Sequence, residues 1–102
     1  MSTPHNVLRA VHDVASGVAT LLDVRGDDGW NDIRAEGAVH WPLACLRADT
    51  IPEIALETPV YVYGADEEAS EEAKDLLIAQ GFVDVVSIGG LSDWQEAGGE
   101  VE

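Results

Sequence analysis

A chain of 102 residues with 46% apolar content is long enough for one packed domain and too short for two, and no run approaches the roughly 18 apolar residues needed to cross a bilayer. Twenty acids against four arginines and one lysine give a net charge of −15, which repels phosphates and anionic headgroups and argues against nucleic acid or a membrane as partner. The amino-terminal MSTPHNVLRA lacks the basic and apolar regions of a secretory signal, and the single cysteine, Cys45, cannot form an internal disulfide, so a soluble cytoplasmic protein is expected.

Thr3-Pro4 is a helix start, a capping hydroxyl followed by proline at the first helical position, and Val7, Leu8, Val11, Val14 and Ala15 form one apolar stripe ending before Gly17. His5 and His12 lie seven apart on that helix, but two imidazoles without a further ligand rarely hold a metal, and none is expected. Val18 to Val24, VATLLDV, is a nearly continuous apolar run that fits a strand buried on both faces of a parallel sheet. A loop at Arg25 to Gly29 follows, then Trp30 and Ile33 at helical spacing, with Gly37 closing a short helix. Ala38 to Trp41 can form a further strand, stopped by Pro42, and Leu43 to Ala48 and Ile51 to Leu56 read as short helical or irregular turns.

The stretch from Pro59 to Gly81 organises the chain. Val60 to Tyr63 reads as a buried strand, Gly64 to Glu68 as a loop, and Ala69, Ala73, Leu76 and Leu77 repeat at helical spacing until Gly81 stops the helix. A strand that breaks into a loop and feeds a helix is where open α/β folds bind anions, because unpaired N–H groups gather at the helix start. Here that place carries Asp66, Glu67, Glu68, Glu71 and Glu72. Phe82 to Ile88 supplies a last strand, and Gly89-Gly90 leads to a short helix bearing Leu91 and Trp94.

Strands alternating with helices, with no long repeat or linker, indicate one three-layer α/β domain over residues 1–102 with a mostly parallel sheet. Charge is uneven along it: residues 1–63 hold nine acids and four arginines, residues 64–102 eleven acids and one lysine. The acidic second half suits a basic protein partner; a high-salt or solubility adaptation explains the same composition equally well.

The segments LLDVR at 21–25, IRAEGAVHWPL at 33–43, PVYVYG at 59–64, LLIAQGF at 76–82, VVSIGGLSDW at 85–94 and AGGEV at 97–101, in this order, resemble a rhodanese-like domain over nearly the whole chain. The resemblance implies a five-stranded parallel sheet between helices. It also implies a site in which a cysteine thiolate, at the first position of the loop after the PVYVY-like strand, takes sulfur from a donor such as thiosulfate and passes it on from a persulfide. A ring of N–H donors lowers the pKa of such a thiol and holds the anionic sulfur.

Matched residue by residue, that cysteine falls on Gly64, the arginine that often closes the loop falls on Ala69, and a serine common there falls on Ser70. The degenerate loop is thus Gly64, Ala65, Asp66, Glu67, Glu68, Ala69 and Ser70, with Asp23, Arg25 and Arg34 as expected pocket neighbours. Arg34 also stands where the family's GHIPGA segment has its histidine, and Glu36 where it has its proline. The expectation is a catalytically inactive domain serving as a regulatory or interaction module, without a cofactor. The alternative is a sulfurtransferase using Cys45 or a partner's thiol. Cys45 reads as a small hydrophobe or incidental thiol, because reactive cysteines sit in electropositive surroundings and only Arg47 is close in sequence.

Overall fold

The computed structural model describes residues 5–102, and the side chains of His5 and Asn6 are not among the described groups. Helix α1 (His5–Ala15) leads into β1 (Thr20–Asp23), followed by α2 (Asp27–Asp32), β2 (Val39–His40), α3 (Leu43–Arg47), β3 (Val60–Gly64), α4 (Glu67–Ala79), β4 (Val85–Gly90) and α5 (Leu91–Glu96). The strands form one parallel sheet in the order β2-β1-β3-β4. It has four strands among the described residues, where the family resemblance implied five. The Thr3-Pro4 helix start lies outside the described residues.

Alternation along β1 and β3 sorts their side chains onto two cores. Leu22, Val24, Val60, Val62 and Val85 meet Leu46, Ala73, Leu77 and Phe82 under α3 and α4. Leu21, Tyr61, Tyr63 and Ile88 meet Val7, Ala10 and Trp94 under α1 and α5. Two helices on each face make the three layers that the sequence pattern implies. No described helix is long and apolar enough to cross a membrane.

Several local expectations shift. In α1, Leu8 is 48% exposed while Ala10 is fully buried, so the stripe centres on Val7, Ala10, Val11 and Val14. The helix α2 stops at Asp32 and Ile33 is extended, so Gly37 does not close it. Gly37 instead sits in a turn at φ +84°. Residues 51–56 are irregular. The last strand begins at Val85, not Phe82, because Phe82 plugs the core under α4 while Val83 is 74% exposed. It then runs on through Gly89 and Gly90, with a register irregularity opposite Val62 to Gly64. A side chain at Gly89 would collide with Asp93, whose carboxylate accepts the Gly90 N–H at 2.8 Å; the paired glycines turn the strand into α5.

Candidate functional site

The carboxyl ends of β1 and β3 lie side by side, Asp23 opposite Tyr63. Asp23 is fully buried and its carboxylate is densely bonded. It accepts from the Arg25 backbone N–H at 2.9 Å, from Arg25 Nε at 3.0 and 3.1 Å, from Arg25 Nη2 at 2.7 Å and from the Tyr63 hydroxyl at 2.6 Å. The Tyr63 oxygen in turn accepts the Ala35 N–H at 3.0 Å, and Arg25 Nη2 donates to the Ile33 carbonyl at 2.5 Å. A buried ion pair is tolerated only when its buried donors and acceptors are satisfied, and no buried side-chain nitrogen or oxygen among the described residues lacks a partner. The pair keeps the Arg25 guanidinium firmly protonated through its bond to Asp23, and burial together with the bond to Asp23 pushes the Tyr63 phenol above its ordinary range.

Beside this network the His40 ring stacks on Trp30 at 4.7 Å and 6°, and its Nε2 bonds the Arg25 carbonyl at 2.9 Å, which fixes that nitrogen as the donor. The Arg34 guanidinium lies over the Trp30 ring at 4.3 Å and faces Glu102 at 4.0 Å. Asp23 and Arg25 are therefore bonded to each other, whereas Arg34 is engaged by Trp30 and Glu102.

Gly64 is the last residue of β3, and α4 begins at Glu67, two residues earlier than the Ala69 periodicity suggests. The loop expected over Gly64 to Glu68 contracts to Ala65 and Asp66. Asp66 is the reason: as N-cap it accepts the Ala69 N–H on Oδ1 at 2.8 Å, and its carbonyl accepts the Ser70 N–H at 3.2 Å. One of the N–H donors that an exogenous anion could use, that of Ala69, is held by this side chain. Glu67 and Glu68 occupy the exposed first turn, where carboxylates complement the helix dipole.

Space at Gly64 is short. A Cβ there would stand 3.0 Å from the Ala69 Cβ, 3.2 Å from the Ser70 nitrogen and 3.3 Å from Val24 Cγ2. Ser70 is fully buried; its hydroxyl donates to the Val62 carbonyl at 2.9 Å and accepts the Gly89 N–H at 3.3 Å, tying α4 to β3 and to the end of β4. It is a bracket between elements.

Cys45 is half-buried in α3. Arg47, the cation nearest to it in sequence, points instead to Glu72 on α4, with bonds of 2.7 and 2.8 Å. His12 is exposed, and no cluster of three potential metal ligands occurs among the described residues. Sequence reasoning missed Tyr63 and Ala35 as members of the Asp23 network; the only available signal was a tyrosine ending an apolar strand.

A fold of this topology, with an Asp–Arg pair ending one central strand and a strand–turn–helix ending the next, defines a class of small α/β domains that compare closely with known proteins. The family model for the rhodanese-like domain matches residues 4–97, and this chain belongs to the rhodanese-like family. It is similar to the crystal structure of a rhodanese-like domain from an Anabaena sp. protein, at 35% identity over 82% of this chain and 98% of that one, with a TM-score of 0.75. An Escherichia coli rhodanese with anions is 28% identical over 74% and 89% of the two chains, at a TM-score of 0.63. The human single-domain sulfurtransferase shares the fold at 22% identity, over 90% and 92% of the chains and a TM-score of 0.75.

Proposed function

We propose that this domain is a rhodanese-like module that does not transfer sulfur and that binds a basic protein partner through the acidic face at the start of α4. The observation that carries the reading is the altered start of α4. The position matched to the family's cysteine is Gly64, a Cβ there would press on Ala69 and Ser70, and the carboxylate of Asp66 already takes the Ala69 N–H. Glu67 and Glu68 add negative charge beside it. Two unit charges about 4 Å apart interact by about 4 kcal/mol at an effective dielectric of 20, so this face opposes thiosulfate and a persulfide anion and favours a cationic surface. The Escherichia coli relative, a rhodanese with anions, represents the opposite use of the fold.

The test is a thiosulfate-to-cyanide sulfur-transfer assay with mass spectrometry of the protein after exposure to the donor. The expected result is no turnover and no added sulfur. Turnover that vanishes in Cys45→Ala would overturn the reading. Partner binding is expected to weaken in Glu67→Gln/Glu68→Gln, which leaves the Asp66 cap intact; binding undiminished in that variant counts against the acidic face.

A further inference from the structure

We draw no further inference here: the strongest candidate, the hollow at the amino ends of β3 and β4 walled by Arg9, Asp13, Tyr61 and Asp84, carries nothing, because its one buried polar side chain, Tyr61, already donates its hydroxyl to Asp13 at 2.7 Å and nothing in the structure shows what would fill it.

Discussion

The ends of β1 and β3 are neighbours in one sheet, yet they treat charge in opposite ways. At the end of β1 a fully buried carboxylate is matched by a guanidinium, a phenol and a backbone N–H, and no buried side-chain nitrogen or oxygen among the described residues lacks a partner. At the end of β3 the charges of Asp66, Glu67 and Glu68 are exposed and all negative, and of these three only Asp66 makes a hydrogen bond among the described residues, capping its own helix. The buried network holds the frame, joining β1, β3 and the 33–35 segment. The second end is free to change because nothing in the core depends on the sign of its charge.

The largest way to break the comparison is Asp23→Ala. It strands the Arg25 guanidinium, whose side chain is only 12% exposed, and the Tyr63 hydroxyl, and removing one partner of a buried pair costs about 3–5 kcal/mol. Urea unfolding checks it; a loss below about 1 kcal/mol would mean that water replaces the carboxylate and that the network is less decisive than its geometry implies.

Next in size is Gly64→Ala, which sharpens the comparison at the other end. The added methyl would need Ala69 or the start of α4 to yield by a few tenths of an ångström, and overpacking of this kind costs about 1–3 kcal/mol. The same crowding applies to Gly64→Cys. Combined with Ala69→Arg it places a thiol and a guanidinium at the two matched positions, and on the proposed reading it is expected to remain without sulfur transfer because Asp66, Glu67 and Glu68 still oppose the donor. Ready turnover in that variant would show that the acidic turn does not block the chemistry.

Tyr61 and Tyr63 lie two apart on the same face of β3 and extend the contrast to pH. Burial, reinforced by a 2.7 Å bond to Asp13, pushes the Tyr61 phenol up to about 12 from an ordinary value near 10. An acid whose folded pKa is raised favours its neutral form in the folded state. Its contribution is therefore fully present below about pH 10 and is lost as pH rises through about 12. Ultraviolet titration of the phenolate should place its onset above that of free tyrosine, and Asp13→Asn should lower it; an unshifted onset would show that the ring is reached by water.

Much of this architecture was legible in the chain. Alternating strands and helices, the Gly81 stop and the paired glycines before Leu91 were readable because they follow from backbone geometry and local periodicity. The Asp23 network was half legible. DVR at a strand end marks two members, but Tyr63 is 40 residues away and becomes a partner only when β1 and β3 pair in register. The loop length was misread for a different reason. Ala69 begins the apolar periodicity of α4, whereas a capping side chain decides where the helix begins, and Asp66 competes with several nearby acids that could fill that role. Leu8 was misplaced because a stripe drawn from hydrophobicity overlooks Ala10, whose small side chain lets α1 approach the sheet.

That distinction between Asp66 and its neighbours yields the smallest effect on stability and the most discriminating one. Asp66→Ala removes an N-cap and should cost about 1 kcal/mol, since the Ala69 N–H loses its partner. Glu67→Gln with Glu68→Gln removes only the interaction of exposed carboxylates with the helix dipole, about 0.3–1 kcal/mol each, and relief of self-repulsion in a chain of net charge −15 works against that loss. The double variant should therefore melt close to the parent at moderate salt while the Asp66 variant melts lower. If binding of a basic partner falls with Glu67 and Glu68 while stability holds, those carboxylates serve recognition and Asp66 serves the helix. If binding and stability fall together, the acidic turn is structural throughout.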